Sequence, residues 1–320
     1  YVSDEKMPLS APYGFEQTEN GAYENRNALP LGYAVTGAMT MDEYEALSPL
    51  EKQWALLQCA ALSEIPEGIA AVRPGQSLTE IPVQSQTGEN IEWNGETDEL
   101  QVGEDASITL TLDVPADCEL YLELEGLEIL DVSIRPDHYV WLTSGAATGA
   151  CRLSPEGFVL NTNRDSVLAN VGYDENARTT VEIRFAHAGR YRLSAIRAYA
   201  QPMADFDEKI AALQSRGLTD VRLGVNEITG RISLDQPAVT VFSIPYSDGW
   251  TLTVDGGEMP IQASAGAFLA AAVPAGDHEL RLTYRTPGLR LGACVSAAAL
   301  VALAVCIVME RRKSGKQERG

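Results

Sequence analysis

The chain has 320 residues, with 24 Lys and Arg against 45 Asp and Glu, and a formal net charge of −21. This surplus of acids disfavours nucleic acids and anionic lipids as partners, because both carry dense negative charge. The length allows two or three domains.

The first 104 residues are predicted to form a loop-rich external segment with a helix near 49–62. Ser48 and Glu51 flank Pro49 in a capping-box pattern, in which each polar side chain satisfies a free backbone N–H at the start of a helix. Apolar residues then recur at helical spacing. The helix is therefore the most regular element predicted in this segment.

Two other stretches flank this helix. Thr40 and Glu43 form a second capping box and indicate a short preceding helix. The interval Ile65–Glu104 is polar and rich in turn residues, so no regular element is predicted there.

Residues 105–200 are predicted to form a β-sandwich-like domain. Apolar and polar residues alternate in short runs separated by turn residues, as in antiparallel sheets with one buried face. The predicted strands are Ser107–Val114, Cys118–Leu124, Leu130–Ile134, Tyr139–Leu142, Gly157–Leu160, Thr180–Phe185 and Tyr191–Ala198.

A linker helix is predicted over 201–217, where Asp205 can cap the N-terminus and Gly217 can end the helix. Residues 218–288 follow as a membrane-proximal β unit with a hairpin turn at Asp255-Gly256-Gly257. Its strands are predicted at Ala238–Ile244, Trp250–Val254, Phe268–Val273 and His278–Tyr284.

A transmembrane helix is predicted over 289–309, because Leu291–Met309 contains no charged residue and is long enough to cross a bilayer. The basic tail 310–320 indicates the cytoplasmic side and places residues 1–288 outside. A buried core helix and a cleaved sorting tail are the alternatives. Export of 1–288 without a signal peptide leads us to expect further membrane helices upstream.

The fold class expected from these elements is mainly β, with extracellular β-sandwich-like units, a few short helices and one C-terminal transmembrane helix. Three of the five cysteines, Cys59, Cys118 and Cys151, lie outside the apolar stretch. An odd number without a CxxC pair supports neither a disulfide framework nor a zinc site. A Cys118–Cys151 bridge is the alternative.

No motif of nucleophilic, phosphate-binding or zinc-hydrolase chemistry is present, so no catalytic, cofactor-binding or metal site is assigned. Each histidine is expected on a strand surface rather than as a metal ligand: His138, His187 and His278. Acidic residues that could serve as a glycosidase pair arise by chance in so acidic a chain: Glu123 with Glu125, Asp235, and Asp248 with Asp255.

Aromatic residues offer a weak indication of sugar binding. Trp250 and Tyr246 could form a stacking platform, but Trp250 shares a strand face with Leu252 and Val254, which favours a place in the core. Trp93 and Trp141 are further candidates that the sequence does not rank.

A series of short motifs in the last β unit carries a family resemblance. It comprises Phe242-Ser243-Ile244-Pro245-Tyr246-Ser247-Asp248-Gly249-Trp250, Val254-Asp255-Gly256, Gly266-Ala267-Phe268-Leu269, Pro274-Ala275-Gly276-Asp277-His278 and Leu282-Thr283-Tyr284 with Pro287-Gly288. In this order the series resembles the C-terminal end of the YfhO family of bacterial multi-pass membrane proteins. Leu29-Pro30-Leu31-Gly32-Tyr33 resembles another segment of that family.

The resemblance implies a polytopic glycosyltransferase that moves a sugar from a polyprenyl-phosphate carrier to a cell-envelope polymer such as a teichoic acid. It implies upstream membrane helices of the same protein as partners and catalytic residues outside this chain. Ile244–Trp250 and Asp255-Gly256 are expected to form the structural framework of the membrane-proximal β unit. This portion would position the acceptor or brace the membrane part.

Two other functions are compatible with the residues. One is a single-pass surface protein whose sandwich binds carbohydrate or protein without catalysis. The other is an exported glycosidase that uses a pair of acids.

Overall fold

The computed structural model describes residues 9–75, 78–131, 138–154 and 166–317. Its strands are β1 (Phe15–Gln17), β2 (Tyr23–Asn25), β3 (Gly32–Val35), β4 (Gly37–Thr40), β5 (Ala60–Leu62), β6 (Ala70–Ala71), β7 (Thr79–Ile81), β8 (Ser85–Asn94), β9 (Glu99–Val114), β10 (Cys118–Glu125), β11 (Glu128–Ile129), β12 (His138–Ser144), β13 (Ala147–Leu153), β14 (Ser166–Asp174), β15 (Arg178–Phe185), β16 (Gly189–Arg192), β17 (Ala195–Pro202), β18 (Thr219–Gly224), β19 (Glu227–Leu234), β20 (Ala238–Pro245), β21 (Trp250–Val254), β22 (Gly257–Met259), β23 (Gln262–Ser264), β24 (Phe268–Val273) and β25 (Gly276–Tyr284). Its helices are α1 (Met41–Glu45), α2 (Pro49–Leu56), α3 (Phe206–Ser215) and α4 (Leu289–Gln317).

The chain forms two compact units, and each is assembled from separate stretches of sequence. The first consists of Tyr1–Ala28, Leu47–Leu57 and Pro74–Ala212, and the second of Leu29–Ala46, Gln58–Arg73 and Leu213–Gly320. The chain therefore enters each unit more than once.

The first unit is an antiparallel β-sandwich. One sheet has the order β14-β10-β17-β7, and the other has the order β11-β16-β9-β15-β12-β13, with β8 paired to β9. Side chains from both sheets share one core, among them Leu122 of β10 and Leu110 of β9, both fully buried. Strand alternation explains this arrangement, because every second residue of each strand faces the other sheet.

The turn-rich assignment of Ile65–Glu104 is wrong for its second half. Strand β8 lies there, and β9 begins there at Glu99. Most side chains of β8 are exposed, and its first six residues include no apolar side chain, so apolar alternation is confined to Ile91 and Trp93. Its backbone is held by pairing with β9 along most of its length, and sequence patterns do not report such pairing.

The predicted strand Tyr191–Ala198 is two strands that belong to different sheets. Strand β16 pairs with β9, and β17 pairs with β10. Between them the N–H of Ser194 donates to the carbonyl of Glu125, which marks the crossing from one sheet to the other. Predicted strand Gly157–Leu160 lies outside the described residues, and so do residues 132–134 of another.

Both predicted capping boxes are confirmed. Thr40 caps α1 together with Glu43, and Ser48 caps α2 together with Glu51. Helix α2 ends at Leu56, short of the predicted residue 62, because the chain enters β5 at Ala60.

The second unit also has two sheets around one core. Their orders are β18-β19-β25-β21-β22 and β3-β20-β24-β23-β5-β4-β6, in which β4 lies parallel to β5 and β6. Phe242 and Leu252, both fully buried, are part of this core. Strands β3 to β6 come from the N-terminal part of the chain.

Helix α4 contains the apolar stretch Leu289–Met309, which has a mean hydropathy of 2.6 and none of its length buried. It is long and apolar enough to cross a membrane, as predicted. The helix continues to Gln317, and residues 318–320 are not described. The predicted class, mainly β with short helices and one C-terminal apolar helix, is confirmed.

Candidate functional site: an aromatic pocket in the first unit

A pocket of about 290 Å³ lies in the first unit, between the sheet that contains β10 and the helices α2 and α3. We call it the aromatic pocket. It is lined by Pro12, Tyr13, Leu50, Gln53, Trp54, Leu57, Glu119, Tyr121, Gln201, Met203 and Phe206. Its volume is near the lower end of the range for small-molecule sites, about 300 to 1,000 Å³.

Strand alternation places the polar floor of the pocket. Leu120 and Leu122 of β10 point into the sandwich core. Glu119 and Tyr121 therefore lie on the opposite face of the sheet. The neighbouring strand β17 adds Gln201, which is paired with Glu119.

Helix α2 supplies one aromatic wall. Leu50 and Trp54 are four residues apart and lie on the same helical face, and both are buried. Trp54 stacks on Phe206 of α3 with ring centroids 6.3 Å apart and planes inclined by 30°. Lys209 Nζ lies 5.1 Å from the Trp54 ring, close enough for a cation–π contact.

Tyr13 supplies the second aromatic wall. Its ring meets Phe206 edge-on at 5.6 Å and Tyr173 edge-on at 4.6 Å. Its hydroxyl donates to Asp207 Oδ2 at 3.0 Å. Edge-to-face contacts of this kind fix ring orientation.

Tyrosine–carboxylate pairs continue along the same face of the sheet. Tyr121 Oη donates to Glu119 Oε2 at 2.5 Å, and Tyr199 Oη donates to Glu123 Oε2 at 3.1 Å. Tyr121 and Tyr199 are directly opposite in the β10–β17 pairing. A polar and aromatic strip therefore continues from the pocket along the sheet.

The tyrosines remain protonated at neutral pH. Burial, together with the hydrogen bond to Asp207, raises the pKa of Tyr13 to about 12. Burial and the Glu119 charge raise the pKa of Tyr121 as well. These phenols act as hydrogen-bond donors and not as nucleophiles, so the arrangement is suited to binding.

No sequence pattern predicts this pocket, because its residues come from four separate stretches of the chain. The candidates named from sequence lie elsewhere. The rings of Trp250 and Tyr284 pack together with centroids 4.9 Å apart, and Trp250 also packs against the core of the second unit. These contacts support its predicted place in the core. Tyr246 is 37% exposed, and its hydroxyl donates to Asp248 Oδ1 at 3.4 Å.

Trp93 and Trp141 lie in the first unit but do not line the aromatic pocket. Trp93 borders an open groove of about 520 Å³ that contains three glutamates and Arg190. Trp141 lies beside Tyr139, with ring centroids 6.1 Å apart.

Two of the acidic residues considered from sequence are paired with basic side chains. Glu125 forms a 2.5 Å bond with Arg197, and Asp255 forms a 2.7 Å bond with His278. Asp235 lies in the turn between β19 and β20. Their contacts are those of structural and surface groups.

His138 corrects the expectation that every histidine lies on a strand surface. It is completely buried, and its Nε2 lies 2.5 Å from the hydroxyl of Tyr191. The centroids of the His138 and His187 rings are 5.0 Å apart. Among the described residues, no group of three or more histidine, cysteine or acidic side chains is arranged to hold a metal ion.

The cysteines of the described chain are free thiols, so the Cys118–Cys151 bridge is not formed. The two residues belong to different sheets of the sandwich. Burial raises the pKa of Cys151 to about 12 and that of Cys59 to about 11. Both thiols are therefore protonated and poorly nucleophilic at neutral pH.

The motif series of the second unit builds turns. Asp255 and Gly256 have φ of 51° and 83°, as a tight hairpin between β21 and β22 requires. Asp255 Oδ2 contacts His278 Nδ1 at 2.7 Å, and its Oδ1 accepts from the N–H of Glu279 at 2.9 Å. This links the Val254-Asp255-Gly256 turn to the turn before His278.

Gly249 explains a further part of the series. A Cβ atom at this position would lie 2.5 Å from the carbonyl oxygen of Arg285 and 2.6 Å from the Tyr284 ring. The glycine allows the loop before β21 to approach the end of β25.

The family model described as bacterial membrane protein YfhO matches residues 3–296. The chain belongs to the YfhO family. An uncharacterized YfhO protein of Bacillus subtilis (strain 168) is 23% identical over 331 residues, which cover 98% of this chain and 35% of that protein. The chain thus spans about a third of the length of this family relative.

Solved structures resemble the chain only distantly. The ZmpB structure from Clostridium perfringens, with CBM32-1, CBM32-2 and M60 catalytic domains, has a TM-score of 0.26 and 9% identity, covering 64% of this chain and 32% of that one. The arabinofuranosyltransferase AftD from Mycobacteria has a TM-score of 0.26 and 10% identity, covering 87% of this chain and 28% of that one. Scores this low carry no argument about function.

Proposed function

We propose that this YfhO-family chain is the outward-facing C-terminal part of a membrane glycosyltransferase and that its aromatic pocket holds a neutral sugar unit of the acceptor polymer. The donor would be a sugar on a polyprenyl-phosphate carrier, and the acceptor a cell-envelope polymer such as a teichoic acid. The aromatic pocket is the observation that carries this proposal.

The shape and lining of the pocket suit a sugar ring. Trp54, Tyr13 and Phe206 present apolar ring surfaces, against which the C–H faces of a sugar can pack. Glu119, Gln53 and Gln201 offer acceptors and donors for hydroxyl groups. Apolar walls with a few polar groups are the usual composition of small-molecule sites.

The charge of the pocket favours a neutral ligand over a phosphate. Glu119 lies in its lining, and Asp117 and Asp207 hold the hydroxyls of Tyr173 and Tyr13 at its edge. A phosphate here would meet these carboxylates, and the nearby cation, Lys209, already forms an ion pair with Asp205 at 3.5 Å. A phosphate would therefore be poorly paired, which is costly in a partly buried site. In a phosphate-bearing polymer, the sugar is the part that fits.

The pocket would act by positioning. Its phenols are protonated, and we assign catalysis to other parts of the full-length protein. The link between β25 and α4 is only residues 285–288, so the second unit would lie close to the membrane that α4 crosses. A tethered binding site raises the effective concentration of its ligand near the bilayer.

The orientation is also part of the proposal. Residues 1–288 would face outward, with the end of α4 in the cytoplasm, because Arg311, Arg312 and Lys313 follow the apolar stretch.

Transfer activity in membranes that contain the full-length protein tests the proposal. Trp54→Ala should raise the KM for the acceptor polymer with little change in kcat, since the ring contributes binding and not chemistry. Trp93→Ala is the matched control and should leave both values unchanged. Equal KM values in all three proteins at matched expression would contradict acceptor positioning by the pocket.

A further inference from the structure

A stripe of exposed apolar side chains lies on β18, the edge strand of its sheet. Val221, Leu223 and Val225 occupy every second position, the first two in β18 and Val225 in the turn that follows it. Their exposure rises from 38% through 74% to 93% toward the turn between β18 and β19. An exposed apolar edge strand is prone to aggregate unless a partner covers it.

The turn lies at the end of the second unit from which the membrane helix emerges. Glu227 pairs with Thr283, and the N–H of Tyr284 donates to the carbonyl of Asn226 at 2.9 Å. Helix α4 begins at Leu289, five residues beyond Tyr284. The most exposed apolar side chain, Val225, is therefore level with the last residue of β25.

Aromatic residues lie at the same level. Trp250 pairs with Tyr284, and the two rings are 4.9 Å apart. Tryptophan and tyrosine are enriched where membrane proteins cross from water to lipid.

The charges of this sheet are distributed unevenly between its two ends. Arg285 and Arg290 are exposed on either side of the first residue of α4, and Arg222 is exposed on β18, three residues before Val225. Of two acids at this end, Glu227 forms an ion pair with Arg281 at 2.7 Å, and Asp248 accepts a 3.4 Å hydrogen bond from the neutral Tyr246 hydroxyl. The arginines therefore outnumber the acids named here.

The opposite end carries exposed acids, among them Glu258, Asp277 and Glu279. The end next to the helix is thus complementary to lipid phosphates, although the whole chain is acidic.

We propose that the β18–β19 turn inserts Leu223 and Val225 into the outer surface of the bilayer, as a second membrane contact beside α4. The apolar side chains would enter the boundary between headgroups and acyl chains, and the arginines would meet the phosphates. Two contacts would restrict the tilt of the second unit over the membrane. This inference depends on α4 as the span and not on the ligand of the aromatic pocket.

Fluorophore quenching in proteoliposomes tests the insertion. The whole chain is reconstituted in phosphatidylethanolamine and phosphatidylglycerol vesicles with an environment-sensitive probe on Val225→Cys, Leu223→Cys or Val221→Cys. Glu258→Cys, at the opposite end of the same sheet, is the matched control, and the parent chain gives the background from native cysteines.

Insertion predicts that a lipid-borne quencher acts most strongly on position 225, less on 223 and least on 221, with little effect on 258. Aqueous iodide should show the reverse order. Strong iodide quenching at 225 would overturn the proposal. Shielding of 225 from both quenchers would also overturn it, because a protein surface would then cover the stripe.

Discussion

In the first unit aromatic rings line a pocket, whereas in the second unit Trp250 and Tyr284 pack against each other and the family motifs form turns. The recognisable motif series and the aromatic pocket are thus in different units. Short motifs with glycine, proline and aspartate report local backbone geometry, because those residues are needed for particular turns. A pocket assembled from distant stretches leaves no such local pattern.

The largest effect should come from the core of the second unit. Phe242→Ala removes a completely buried ring and should lower its free energy of unfolding by about 3–5 kcal/mol. Hydrogen exchange should show lost protection in β20 and β24, with α2 and β10 unchanged. Loss of protection in both units together would show that the two units do not unfold independently.

The next effect concerns the pocket. Trp54→Ala should weaken the binding of a neutral oligosaccharide by at least about 30-fold, as expected when a buried aromatic anchor worth about 2 kcal/mol is lost. Calorimetric titration measures this change. Trp54→Phe should recover much of the affinity, and unchanged affinity in the alanine variant would place the ligand elsewhere.

A smaller effect is expected at the N-terminus of α2. Ser48→Ala removes the hydroxyl that accepts from the N–H of Glu51 and should cost about 1 kcal/mol of stability. Thermal unfolding measures this loss. Ser48→Asp keeps an acceptor and should remain close to the parent chain, and equal losses in both variants would mean that capping does not hold α2.

The smallest effect should come from the turn network of the second unit. The hydrogen bond to Asp255 raises the pKa of His278, and the bond to His278 lowers the pKa of Asp255. A histidine whose pKa is raised by folding contributes stability that is complete below its ordinary pKa of 6.5. This stability is lost as the pH rises through the pKa of the folded state. An aspartate whose pKa is lowered by folding contributes stability that is complete above its ordinary pKa of 3.8. This stability is lost as the pH falls through the lower pKa of the folded state.

The pair should therefore stabilise the second unit most between about pH 4 and 6.5. His278→Gln should be less stable than the parent chain in that window, and the difference in denaturant midpoint should shrink above it. A difference that stays constant from pH 5 to pH 9 would mean that protonation does not contribute.

How much of the fold is predictable depends on how local its causes are. The two capping boxes, the alternating strand β10 and the apolar helix are set by neighbouring residues, and the sequence predicts them. Most side chains of strand β8 are exposed, and the strand depends on its partner β9. The pocket brings together Tyr13, Trp54 and Phe206, and no local pattern connects residues so far apart in sequence.

Hydrogen exchange of the whole chain with a neutral oligosaccharide from a cell-envelope polymer tests whether the aromatic pocket binds a sugar. Binding there predicts added protection in residues 49–57, 119–121 and 201–206, with no change around Trp93. It also predicts that a phosphate-bearing polymer without sugars gives no protection in those segments. Protection confined to the Trp93 groove, or equal protection by the sugar-free polymer, would contradict a neutral-sugar site in the aromatic pocket.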